Sequence, residues 1–172
     1  TLLHTTATVS AYTWKKDGKV VDPLPGTLGT LERSNVTLSD AGTYVCAATT
    51  TLGPATSNSA FVGVVEKAPR TISAALTKPM TLTARTAGPG QTFRWHKGTT
   101  PLANGGRVSG ADKASLLITG VTAGDAGAYH CVVTAYGKTR STGDITVVLE
   151  TDKPVVNPMT ITNVRVGRAF SA

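Results

Sequence analysis

Asp40-Ala41-Gly42-Thr43-Tyr44-Val45-Cys46 and Asp125-Ala126-Gly127-Ala128-Tyr129-His130-Cys131 are two copies of one pattern, Asp-Ala-Gly-x-Tyr-x-Cys, set 85 residues apart in a chain of 172. Upstream of each stands a tryptophan. Trp14 lies in Tyr12-Thr-Trp-Lys-Lys-Asp-Gly18, and Trp95 lies in Phe93-Arg-Trp-His-Lys-Gly98. The two tryptophans are 81 residues apart, so the segments between Trp and Cys differ by four residues. Further downstream, Val64-Val-Glu-Lys-Ala-Pro69 runs parallel to Val148-Leu-Glu-Thr-Asp-Lys-Pro154. Several landmarks in the same order make this an internal repeat of about 85 residues rather than a chance motif.

The segments between these landmarks are short apolar alternations broken by Gly, Pro and Asn, which is the pattern of a β-sandwich. Leu116-Leu-Ile118, Tyr129 to Ala135 and Ile145 to Leu149 read as strands of the second unit. Tyr44 to Thr50 and Phe61 to Val65 read as their counterparts in the first. Asn104-Gly-Gly106 reads as a turn. Glutamate occurs only at Glu32, Glu66 and Glu150, while Thr and Val are abundant, which disfavours long helices.

With these residues in view, the chain resembles the intermediate-type set of the immunoglobulin superfamily over residues 1 to 150. The resemblance implies an all-β fold of tandem Greek-key sandwiches. It also implies a structural core of Trp14, Tyr44 and Cys46 in one unit and Trp95, Tyr129 and Cys131 in the other, the tyrosines forming tyrosine corners. An Arg107–Asp125 ion pair is expected, with no clear arginine for Asp40. The cysteine usually found on the second strand is absent: the counted positions hold Ala84 and Leu3. Neither unit is expected to form an inter-sheet disulfide, and Cys46 and Cys131 read as buried free thiols. The Thr-, Ala- and Gly-rich composition resembles bacterial cell-surface repeat proteins of this class.

The chain is 40% hydrophobic and 16% charged, enough to build cores, with a net charge of +7. The basic residues are spread from Lys15 to Arg168, so the charge reads first as a solvated surface. An anionic polysaccharide or cell envelope is the partner such a charge would attract, and nothing marks a specific nucleic-acid site. No run approaches the roughly 20 apolar residues of a membrane span, and residues 1 to 11 do not read as a signal peptide.

No nucleophile–base pair, zinc-ligand cysteine pair, phosphate loop or His-Glu-x-x-His motif occurs, so neither catalysis nor a cofactor is expected. Strand alternation turns His96 and His130 outward on neighbouring strands, which makes them the weak candidates for a metal. Asn35-Val-Thr37 matches an N-glycosylation sequon.

The domain reading is residues 1–66 as a first unit lacking strand A and the start of strand B, residues 67–150 as a second unit, and 151–172 as an A/B-strand segment. That last segment is expected to complete the first unit of a neighbouring copy, head to tail, through Met159, Ile161, Val164, Val166 and Phe170. The function expected is a structural repeat of an extracellular fibre, stalk or surface layer. The alternatives are an adhesin or phage-type decoration module gripping a glycan or protein, and a non-catalytic appendage of a secreted enzyme.

Overall fold

The computed structural model describes residues 7–21 and 29–150. The inter-unit residues Met159, Ile161, Val164, Val166 and Phe170, and Leu3, lie outside them. The first unit contributes one five-stranded antiparallel sheet of β1 (Val9–Lys16), β2 (Lys19–Val21), β3 (Gly42–Thr50), β4 (Gly53–Thr56) and β5 (Ala60–Val62), in the order β2-β1-β3-β4 with β5 also on β3. Asp17 and Gly18 close the β1–β2 hairpin, with φ of 48° and 80°. Both central residues therefore have positive φ, the two-residue turn whose twist matches its strands.

The second unit opens with β6 (Val64–Val65), β7 (Arg70–Ala74), β8 (Met80–Thr83) and β9 (Thr86–Ala87). It continues through β10 (Thr92–Lys97), β11 (Thr100–Pro101), β12 (Val108–Ser109) and β13 (Ser115–Ile118). It ends with β14 (Gly127–Ala135), β15 (Lys138–Ser141) and β16 (Ile145–Leu149). One sheet runs β11-β10-β14-β16-β7, with β15 also on β14; a second runs β12-β13-β8. The β7–β16 pair is parallel and the other strand pairs described in these two sheets are antiparallel.

Period-2 alternation builds the core between these sheets. Along β14, Tyr129, Cys131 and Val133 turn inward, and along β8, Met80 and Leu82 do. They meet Trp95, Leu116, Ile118, Val121, Ile145 and Val147 in one cluster.

One strand departs from the sequence reading. Phe61 to Val65 is not a single strand. The chain leaves β3 after Val62, passes through Gly63, and Val64–Val65 pairs instead with Thr86–Ala87 of the second sandwich. Two glycines permit the crossing. A Cβ on Gly88 would sit 2.9 Å from the Gly63 Cα and 3.0 Å from the Val62 carbonyl oxygen.

Candidate functional site

The motif residues form matching corners in the two units. In each, a Thr caps a short 3-10 turn, Leu38–Asp40 or Ala123–Asp125, through a reciprocal capping box. The Tyr44 hydroxyl then donates to the Asp40 carbonyl at 2.7 Å, and the Tyr129 hydroxyl to the Asp125 carbonyl at 2.7 Å. The correspondence continues at the cysteines. The Cys46 amide donates to Ser57 Oγ and the Cys131 amide to Thr142 Oγ1, both at 2.9 Å.

The carboxylates of the two corners differ. Arg107 grips Asp125 with Nη1 at 2.9 Å and Nη2 at 3.3 Å. The guanidinium beside it holds the Asp125 carboxyl down at about 2, with Thr122 adding bonds to the charged form. Asp40 has no such fork. Its carboxyl is lowered by bonds from Thr37 first, with Arg33 a more distant charge.

The tryptophans differ as well. Trp95 is fully enclosed and its Nε1–H donates to the Lys113 carbonyl at 2.9 Å. Trp14 is only partly buried, and its Nε1 is the one buried side-chain polar atom without a partner among the described residues. Both cysteines are free and buried. Burial pushes the Cys131 thiol up to about 11, so it stays protonated and is a poor nucleophile. Ala84 lies buried in the same core as Cys131.

His96 and His130 stand directly opposite each other on β10 and β14, their rings stacked at 5.0 Å and 12°. His130 Nδ1 lies 3.8 Å from Asp144 Oδ1. Among the described residues no group of three or more His, Cys, Asp or Glu side chains converges as metal ligands.

A second constellation sits where the units meet. Tyr136 and Gly137 form the two-residue turn between β14 and β15, with φ of 47° and 70°. That turn carries the Tyr136 ring onto Phe61 of the first sheet, at 4.4 Å between centroids and 8° between planes. Under the stack, Thr86 Oγ1 donates to the Val64 carbonyl at 2.9 Å and Gln91 Nε2 to the Ala87 carbonyl at 2.9 Å. A groove of about 330 Å³ opens beside it, bounded by Phe61, Gln91, Tyr136, Lys138 and Arg140. Its walls are two aromatic rings, the aliphatic side chains of Val62, Val65, Val133 and Ala135, an amide and two cations. It offers contact and orientation, with no group placed for acid–base or nucleophilic work.

The immunoglobulin I-set domain model matches residues 63–147, and the immunoglobulin domain model matches residues 4–59. The chain belongs to the immunoglobulin superfamily. Over these residues it is a tandem immunoglobulin pair. It is similar to human Contactin-4, 33% identical over 92% of this chain and 16% of that protein. It is also similar to the mouse cell adhesion molecule DSCAML1, 29% identical over 95% of this chain and 8% of that protein. The chain thus spans less than a fifth of the curated relatives it matches. The solved Sidekick-1 immunoglobulin domains 1–5 align with a TM-score of 0.49 at 17% identity, covering 82% of this chain and 31% of that one. These relatives are not bacterial, so the bacterial resemblance suggested by composition finds no support in them, and nothing in them points to a polysaccharide partner.

The immunoglobulin pair's junction was not among the residues that sequence reasoning singled out. One signal was present: Tyr136-Gly137 flanked by alternating strands marks a hairpin tip. Its partner Phe61, 75 positions upstream, carries no local mark.

Proposed function

We propose that this tandem immunoglobulin pair is a structural segment of an adhesion-type protein at the cell surface or outside the cell, where it spaces and orients neighbouring parts and performs no chemistry. The observation that carries this reading is the junction. A one-residue link, Gly63, separates a strand of one unit from a strand of the next, and the Phe61–Tyr136 stack and the β6–β9 ladder clasp the two. Such a link leaves little slack for independent motion, which suits stacking of small domains in one dimension. The similarity to a protein named as a cell adhesion molecule supports the setting.

Small-angle X-ray scattering tests the reading. The wild-type pair should scatter as one body with a single maximum dimension. Tyr136→Ala should broaden the distribution of dimensions while the second sandwich stays folded. A wild-type chain already described best by freely jointed domains would contradict a spacing role.

A further inference from the structure

The hairpin that carries Tyr136 to the junction leaves a strand edge and two charges unmatched. The two-residue turn at Tyr136 and Gly137 makes Ala135↔Lys138 the closing pair of β14 and β15, so the ladder bonds of β15 belong to Lys138 and Arg140. The N–H and C=O of Thr139 and Ser141 then point to the other side of β15. Among the described residues no strand pairs with it there. The Thr139 carbonyl accepts from its own neighbour, Arg140 Nη1, at 2.9 Å.

Cross-strand partners share a face of a sheet. Lys138 therefore stands with Ala135 and Arg140 with Val133, on the side that lines the junction groove. Both cations are exposed at its rim, and among the described residues neither has a carboxylate partner. Arg85, beside β9, is matched by contrast, since it holds Glu66 at 2.6 Å. Away from the cations the groove is apolar, lined by Phe61, Val62 and Val65.

We propose that β15 and the junction groove together are a docking site for an extended acidic segment of a partner protein. The segment adds to the open edge of β15 as a strand, with Thr139 and Ser141 supplying the backbone bonds. Carboxylates at two alternate positions, about 7 Å apart, face Lys138 and Arg140. An apolar side chain at the next alternate position enters the groove against Phe61 and Tyr136. When Arg140 turns to a carboxylate it releases the Thr139 carbonyl, which accepts an amide of the incoming strand. The arginine shields the edge until an acidic strand arrives, and a neutral strand gains no such exchange.

The site matches a polypeptide better than a sulfated polysaccharide. Two cations give a polyanion little to neutralise, whereas free amides and carbonyls beside apolar walls match a peptide backbone and its side chains. The groove exists while the units are clasped, because Phe61 and Val62 of the first unit line it. The proposal therefore rests on the clasped junction. A pair that scatters as one body and leaves an acidic peptide unbound would sink the docking site and spare the spacing role.

The test is amide NMR of the isotope-labelled full chain, titrated with a synthetic peptide in which threonine alternates with glutamate, glutamate and leucine. The peptide should bind one to one and slow amide exchange at Thr139 and Ser141. Affinity should fall by at least about 10-fold for the Lys138→Glu/Arg140→Glu chain, and equally for a peptide with glutamine in place of glutamate. Thr139→Pro should abolish binding while Cys131 stays protected, because the lost N–H faces outward and takes no part in the β14–β15 ladder. A peptide that leaves the wild-type amides unmoved, or that binds Thr139→Pro as well as wild type, would overturn the proposal. Heparin fragments that protect the same amides while the peptide does not would overturn it too, and would give the site to a polysaccharide.

Discussion

The two tryptophans hold equivalent motif positions but different surroundings, and that difference sets their worth. Trp95 is enclosed on all sides and its indole N–H is satisfied. Trp95→Ala should therefore cost about 3–5 kcal/mol in chemical denaturation. Trp14 borders an open groove, so Trp14→Ala should cost clearly less in the same measurement. Asp125 supplies a second residue-scale effect. Its folded carboxyl lies at about 2 against an ordinary 3.8, so the charged form favours folding. This stabilisation is complete above about pH 5 and is lost progressively as pH falls through about 4 and below about 2, worth about 2 kcal/mol. Arg107→Ala should flatten that part of the stability–pH curve. The thiols give a third. Cys46 and Cys131 should resist a thiol reagent in the native protein and react fully on unfolding. Rapid native labelling of Cys131 would contradict its place in the core.

Among the elements, β14 was legible because it carries the motif residues Tyr129 and Cys131 at alternate positions, and β13 and β16 because each is a short apolar run bounded by turn residues. Tyr129 and Cys131 fix which side of β14 faces in, and the same alternation turns His96 and His130 outward, where the register sets them opposite each other. The strand β6 was not legible. Val64–Val65 follows Phe61–Val62 with the composition of one strand, and only the approach of Gly63 to Gly88 sends it to β9. The Phe61–Tyr136 stack was hidden for the same reason, since the two residues meet only through a crossing that pattern does not encode. Gly88 is where this claim is exposed to test. Its φ is 131°, and any Cβ there presses on Gly63 and the Val62 carbonyl. Gly88→Ala should lower the melting temperature and loosen the link between the units, while Gly98→Ala, with open space at its Cβ, should perturb only its own turn. Equal effects at both glycines would show that strain in φ, and not the close approach, governs the position.

For the whole molecule, the second sandwich and the described sheet of the first unit are held together by a short ladder and a pair of half-exposed rings. The closed unit is self-sufficient: its core runs from Ala74 to Val147 without help from the first. The first unit leans on the junction through the β6–β9 ladder and the Phe61–Tyr136 stack. An adhesion-type spacer needs the junction to hold a set arrangement. A stacked aromatic pair contributes on the order of 1 kcal/mol beyond its burial, enough to bias an arrangement that the ladder already narrows. The direct measurement is a pulsed electron-spin distance between labels at Ala55→Cys and Lys113→Cys, both exposed positions on opposite units. Cys46 and Cys131 stay unlabelled because they are buried. A single narrow distance distribution that broadens when Phe61 and Tyr136 are both changed to Ala is the predicted result. A broad distribution in the chain with both rings intact would contradict the account.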